Sequence, residues 1–217
     1  MGVSHSREIR RGYGFDEVAI VPGAVTINPE QVDPSFSLGS LAFPAPFLAS
    51  AMDAVVNPRF AGVMHGMGGL AVMNLEGVQT RYEDPQGVLD GIIEVPQKDA
   101  TELLQKLYAA PLKEQLVSQR VAEIKDTGAI CAVAITPQNA KRLAPLAAEA
   151  GADVIVVQST VTTARHISRS YRGLIFSELI DQLKVPLLVG NVVTYSAAME
   201  LMEQGIDGLL IGVGPGA

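Results

Sequence analysis

AICAVAITPQNAKRLAPLAAEAGADVIVVQ, residues 129–158, sets two apolar runs on either side of a segment with helical spacing. AICAVAIT (129–136) and DVIVVQ (153–158) do not alternate with polar residues, the mark of strands covered on both faces, as in a parallel sheet. Between them, Thr136-Pro137 offers an N-cap with proline at N1, and a helix is expected through AKRLAPLAAEA, bent at Pro145. Gly151 stands where a glycine closes such a helix. The stretch is one strand–helix–strand unit.

Working outward, the pattern repeats. PFLASAM (46–52), GLAVMN (69–74), VPLLVGN (185–191) and DGLLIGV (207–213) are further near-continuous apolar runs. EAGADVIVV and EQGIDGLLI share a helix end, glycine, one residue, aspartate and a strand, while KDTGAICAVAI keeps the glycine and the strand. Thr194 or Ser196 opens a helix through AAMELMEQ that Gly205 closes. Serial βα units of this kind predict an α/β fold, either a doubly wound sheet or a (β/α)₈ TIM barrel. A dinucleotide-binding doubly wound sheet would want GxGxxG after its first strand, and none is present, so the barrel is preferred. Six of its eight strands are accounted for in residues 1–217.

Residues 75–128 interrupt the rhythm. A polar loop is expected at EGVQTRYEDPQG, followed by two helices, DATELLQKLYAA with Asp99 as its N-cap and KEQLVSQRVAEIK. The segment reads as a helical insertion between the second and third strands, too short for a sizeable domain of its own.

Composition narrows the function. The chain has 217 residues, 48% hydrophobic and 18% charged, which suits a compact buried fold. A net charge of −7 offers no basic footprint for nucleic acid, and no apolar run is long enough to span a membrane. The single cysteine, Cys131, permits no internal disulfide and points to an intracellular, cytoplasmic protein. It lies amid apolar residues and reads as core. His5, His65 and His166 are isolated, and the methionines read as packing.

In a TIM barrel the active site forms at the C-terminal ends of the strands. Those ends supply Ser50, Ala51, Met52 and Asp53, then Asn74, Thr136, Gln158, Ser159, Thr160, Gly190 and Asn191, and last Gly212, Gly214 and Gly216. Small hydroxyls, amides and bare backbone suit a ligand gripped by hydrogen bonds rather than a metal gripped by side chains. Asp53, read as the one carboxylate at a strand end, either orients a ligand or caps the helix after Asn57-Pro58.

At SAMDAVVNP, VGNVVT and GVGPG, read with FDEVAIVPG, the sequence resembles the IMP dehydrogenase/GMP reductase family from about Gly12 onward, apart from residues 76–127. The resemblance implies a TIM barrel, a homo-oligomer (tetramer or octamer), and redox chemistry at C2 of a purine nucleotide (GMP, IMP or XMP) with NADP or NAD. In the family, a cysteine just beyond the GPG loop attacks C2; here it would follow Ala217, so residues 1–217 are expected not to turn over alone. Ser50, Met52, Asn191, Gly214 and Gly216 match positions on the substrate side. Gln158, Ser159, Thr160 and Gly212 match the nicotinamide side. The carbonyls of Gly214 and Gly216 match a monovalent cation site, for potassium.

Four features depart from the family pattern. Gln158 stands for a common aspartate, Ala217 for a phosphate-binding serine, Leu210 for a Lys or Arg, and MNLE (73–76) for an IHKN-like run. The insertion is shorter than the paired CBS motifs of typical dehydrogenases. That favours an NADPH-dependent GMP reductase, with an NAD-dependent IMP dehydrogenase next and a catalytically silent nucleotide-binding relative third.

Overall fold

The computed structural model describes residues 13, 17–164 and 173–213. Two compact units divide the chain, one taking in the first 33 residues and the other residues 34–213. In the first unit, Pro29–Gln31 forms a single 3₁₀ turn, and the Asn28 N–H donates to Gln31 Oε1 at 3.1 Å. Ile20 there is fully exposed.

The second unit opens with an antiparallel hairpin that the sequence reading did not anticipate, β1 (Phe36–Leu38) and β2 (Leu41–Phe43). Six parallel strands then follow in sequence order: β3 (Leu48–Ala49), β4 (Leu70–Asn74), β5 (Ala132–Ile135), β6 (Val154–Gln158), β7 (Leu187–Val192) and β8 (Gly208–Ile211). The sheet curls into six strands' worth of a TIM-barrel-like fold. β3 is much shorter than the apolar run 46–52, because Pro44 and Pro46 in the approach lack ladder donors and Met52 already belongs to a turn.

Why the strands read as unbroken apolar runs is now visible. Alternate residues belong to two separate cores. Ala71, Met73, Val133, Ile135, Ile155, Val157, Leu187 and Val189 pack among helix residues on the outer face. Leu70, Val72, Ala132, Ala134, Val154, Val156 and Leu188 join Leu38 and Phe43 of the hairpin in a cluster that includes no helix residue. This second set is the concave interior. The hairpin closes it at the end where the strands begin: a Cβ on Gly39 would lie 3.0 Å from Pro186 Cγ, just before β7, and one on Gly208 would lie 3.8 Å from Leu38 Cδ1.

The outer helices are α1 (Pro58–Gly66), α5 (Glu114–Asp126), α6 (Pro137–Glu149), α7 (Phe176–Gln182) and α8 (Tyr195–Met202). α6 begins at Pro137 and runs unbroken through Pro145, burying Ala140, Leu143, Ala144 and Ala147 at helical spacing. Asn57 caps α1 by accepting the Phe60 N–H at 2.8 Å, and Thr194 caps α8 by accepting from Ala197. Of the two sequence-derived openings for α8, Thr194 is the one used.

The repeated Gly-x-Asp acquires a physical meaning. Gly128, Gly151 and Gly205 have φ of 79°, 104° and 87°, so each turns the chain out of a helix through a conformation open to glycine. Two residues later, Asp153 and Asp207 reach the preceding strand: Asp153 Oδ2 accepts the Cys131 N–H at 2.7 Å, and Asp207 Oδ2 accepts the Leu187 N–H at 2.8 Å.

Residues 75–128 depart from the sequence reading in two respects. The expected polar loop instead holds α2 (Val78–Arg81) and the start of α3 (Pro85–Ile93), the latter capped by Asp84 accepting the Gly87 N–H at 3.0 Å. The expected first helix is α4 (Gln97–Ala109), which starts two residues before Asp99; Pro96 is its N-cap, and Asp99 sits in the first turn instead. Buried Arg120 on α5 fastens this layer by donating to the carbonyls of Gln79, Tyr82 and Glu83 and to the Glu123 carboxylate. Between β4 and β5 the described elements are all helices.

Candidate functional site

Because β3 to β8 are all parallel, their C-terminal ends share one edge of the sheet. SAMD and GNV therefore lie on the same side of the molecule, as a shared ligand mouth requires. Ser50 and Met52 follow β3 and are both exposed, Met52 at 53%. They sit in a tight turn in which the Met52 N–H donates to Ser50 O at 2.8 Å and Met52 O accepts from Val55 and Val56 at 2.9 Å. Val56, fully buried, roots that turn in the outer core.

At the other side of the mouth the ends of β6, β7 and β8 are stitched together by backbone. Ser159 N–H donates to Gly190 O at 3.0 Å, Asn191 N–H to Ser159 O at 3.1 Å, Thr162 N–H to Asn191 O at 2.8 Å, and Gly212 N–H to Val192 O at 2.8 Å. The Thr162 hydroxyl donates to Gly190 O at 2.6 Å and lies 3.0 Å from the Ser159 hydroxyl. Gln158, Ser159, Thr160, Asn191 and Gly212 are thus brought to one loop cluster. Gly190 is needed here for a steric reason: a Cβ would fall 2.4 Å from Leu210 Cβ and 2.7 Å from Leu210 O. Leu210 itself packs against the interior cluster. Gly214, Gly216 and Ala217, with the cation site and phosphate contact expected of them, lie outside the described residues, as do His5 and His166.

Beside this cluster is a groove of about 140 Å³ that includes Gln138, Ser159, Thr162, Leu174 and Phe176 in its lining. Among the described residues its lining mixes hydroxyls and an amide with apolar surface and contains no charged side chain, which suits a flat ring system. A second cavity, of about 430 Å³, lies between the Met52–Asn57 turn and helices α3 and α4. Among the described residues Asp53 and Asp90 are the charged ones in its lining, and none of them is a cation that could receive a phosphate.

The carboxylates correct the sequence reading. Asp53 is not the one carboxylate at a strand end, and it does not cap α1, a task Asn57 performs. Buried to 8% exposure, Asp53 accepts from Val78 N–H at 3.1 Å, from Asn74 Nδ2 at 3.3 Å and from the Tyr108 hydroxyl on α4. Glu76, two residues beyond β4, is a second rim carboxylate. It accepts from the Thr136 N–H, from the Thr136 hydroxyl at 3.1 Å and from Asn139 Nδ2. Asn74 joins the two systems, because its Oδ1 accepts the Glu76 N–H at 2.9 Å. A hydrogen-bonded band therefore runs from Tyr108 through Asp53, Asn74 and Glu76 to Thr136 and Asn139. Glu76 and Tyr108 were not singled out from sequence; the departure MNLE was the one available signal for Glu76.

Cys131 is fully buried, and burial, followed by the nearby Asp153 carboxylate, pushes its thiol up to about 12. Such a thiol is inert near neutral pH and belongs to the core. Burial and the Asp53 hydrogen bond raise Tyr108, which stays a donor. Among the methionines, Met73 is buried, whereas Met67 and Met202 are exposed at 74% and 48%. His65 is exposed near the end of α1. Among the described residues no group of His, Cys, Asp and Glu could hold a metal, and no helix is long and apolar enough to cross a membrane.

Comparison with known proteins agrees with this geometry. The family model described as IMP dehydrogenase / GMP reductase domain matches residues 12–217. An uncharacterized oxidoreductase of Mycolicibacterium smegmatis is 35% identical over 98% of the chain and 58% of its own length. One of Mycobacterium tuberculosis is 34% identical over the same shares. An inosine-5'-monophosphate dehydrogenase of Cryptosporidium parvum is 26% identical over 98% of the chain and 54% of its own length. The crystal structure of an IMP dehydrogenase/GMP reductase-like protein from Corynebacterium glutamicum superposes with a TM-score of 0.89 at 35% identity, covering 99% of this chain and 57% of that one. The chain thus spans a little over half the length of these relatives.

Proposed function

The chain belongs to the IMP dehydrogenase/GMP reductase family of oxidoreductases, and from that premise we propose that it carries the strand-end part of a site for redox chemistry at C2 of a purine nucleotide. One observation supports this above the others: Ser50 and Met52 share an edge of the parallel sheet with the backbone-stitched cluster of Gln158–Thr162, Asn191 and Gly212. In this reading Ser50, Met52 and Asn191 hold the nucleotide, and Gln158, Ser159, Thr160 and Gly212 hold the nicotinamide. Gly214 and Gly216 complete the substrate side and the potassium site. A nicotinamide cofactor supplies or accepts the hydride. The groove by Phe176 and Ser159, whose described lining is hydroxyl, amide and apolar, suits a ring of that cofactor.

The nucleophile is assigned to a cysteine following Ala217 in the full-length protein, since a covalent bond to C2 splits one difficult step into two. Cys131, buried and with its thiol raised, cannot serve. The chain's own residues do the positioning: exposed peptide groups at the mouth fix the purine, and the half-buried Gln158 and Ser159 present a neutral face to the cofactor.

Within the family we favour an NADPH-dependent GMP reductase acting in a homo-oligomer, on the strength of the compact helical insertion. The Cryptosporidium parvum dehydrogenase supports the second reading, an NAD-dependent IMP dehydrogenase, because its alignment runs over only 230 residues and leaves little room for a large inserted domain. The full-length protein is assayed with GMP plus NADPH and with IMP plus NAD. Absorbance at the nicotinamide band falls in the first mixture if the favoured reading holds. A rise in the second alone replaces it with the dehydrogenase, and silence in both leaves a nucleotide-binding relative.

A further inference from the structure

We propose that Tyr108, on helix α4 of the insertion, is a positioning residue that latches the Ser50–Met52 turn in its ligand-holding place through Asp53. Tyr108 lies 55 residues along the chain from Asp53, yet its hydroxyl donates to Asp53 Oδ2. The other donors to that carboxylate, Asn74 Nδ2 and the Val78 N–H, belong to the end of β4 and the start of α2. Among the described residues, Tyr108 thus supplies the hydrogen bond through which helix α4 reaches the carboxylate. Asp53 directly follows Met52, and the turn is further tied by Met52 O accepting from Val55 and Val56. Fixing the carboxylate therefore fixes the turn.

The surroundings are built around that carboxylate. A Cβ on Gly77 would fall 1.9 Å from Asp53 Oδ1, so the chain after β4 comes as close as glycine allows. Arg81 lies over the Tyr108 ring, its Cζ 5.9 Å from the centroid, and donates to Glu76 O and to Ala110 O, at the end of α4. The tyrosine is thereby held at its ring, at its hydroxyl and at its helix end. A charge-assisted hydrogen bond to a buried carboxylate is among the stronger ones a protein makes. Losing it leaves Asp53 with two donors, enough to keep the fold but not the setting of the turn.

The latch rests on the reading that Ser50 and Met52 touch a purine nucleotide, and its test separates the two ideas. In the full-length protein, Tyr108→Phe keeps the ring of this partly exposed residue and removes the hydroxyl. The nucleotide KM is expected to rise about tenfold with kcat within about twofold, the pattern of lost uniform binding. Hydrogen–deuterium exchange at residues 52–56 is expected to accelerate. Tyr82→Phe is the control, because Tyr82 donates to Leu107 O at 3.0 Å and so holds the same helix without touching Asp53. It should move neither quantity. Unchanged KM and unchanged exchange in Tyr108→Phe would overturn the latch, and so would an equal effect of Tyr82→Phe. Faster exchange at 52–56 in a protein that binds no purine nucleotide would keep the latch and discard the nucleotide reading.

Discussion

Asp207 takes the N–H of Leu187 at 2.8 Å, and Asp153, two strands earlier in the repeat's logic, takes that of Cys131 at 2.7 Å. In each case the backbone N–H of the same aspartate also donates to the carbonyl of the residue it serves, at 2.9 Å for Leu187 and 2.8 Å for Cys131. The aspartate thus closes a two-bond ring between the start of one strand and the start of its neighbour. Asp207→Ala leaves the buried Leu187 N–H without its acceptor and should cost about 1–3 kcal/mol of stability. Asp207→Asn keeps an acceptor and should recover most of that loss, as read by urea denaturation. Equal losses in both variants would assign the effect to charge instead of the strand-start bond.

Two glycines are required for different reasons, and alanine separates them. At Gly190 the added methyl meets Leu210 backbone and Cβ, so β8 must shift; the cost is about 1–3 kcal/mol from overpacking. At Gly128 nothing lies within 4 Å, but φ is +79°, and alanine there costs about 1–2 kcal/mol through the backbone alone. Gly190→Ala should therefore also perturb turnover at the mouth, while Gly128→Ala lowers the melting temperature without changing KM.

Cys131 sets a pH window. Its folded thiol is raised to about 12, above an ordinary thiol, so above the unfolded value the unfolded chain releases a proton that the folded chain keeps. The stability it contributes is present below about pH 8.5 and declines as pH rises toward the folded value of about 12. In Cys131→Ala this part of the alkaline loss should vanish, so the stability difference between wild type and variant narrows from pH 8 to pH 11. A thiol reagent should label native protein slowly at pH 8 and unfolded protein at once.

The bonds that tie Asn191 to Ser159 and Thr162 run through its backbone. On the proposed substrate role of its side chain, Asn191→Ala should change stability by less than about 1 kcal/mol while lowering turnover of the full-length protein by ten- to a hundredfold. Equal losses of stability and turnover would mark the side chain as structural.

Gln158→Asp tests the proposed nicotinamide side. The side chain is half-buried at the end of β6, with Gly190 of β7 beside it in register. A new negative charge there should shift nicotinamide affinity or the preference between NAD and NADP. Identical cofactor kinetics would remove Gln158 from the site.

How much of this could be read from sequence follows from the range of the interactions. The six strands, the Pro137 helix start and the closing glycines are set by local chemistry and by burial on two faces, and they are legible in runs such as DVIVVQ. The hairpin at Phe36–Phe43 carries three-residue strands, too short for periodicity to register. Asp99 misled as a cap because Pro96 had already started the helix. Asp53 misled more deeply: its partner Tyr108 lies beyond three intervening helices, and no spacing rule links residues so far apart. Glu76 was hidden because its partners Thr136 and Asn139 lie across the whole insertion.

Glu76 has one more effect, on where a phosphorylated molecule can rest. The exposed amides that begin a helix ordinarily attract anions. At the start of α6 that seat is taken: the Glu76 carboxylate already receives the Thr136 amide and the Asn139 side chain. The protein has filled its nearest anion berth with its own charge. A negatively charged guest at the proposed mouth would meet repulsion, not an open amide, at the ends of β4 and β5.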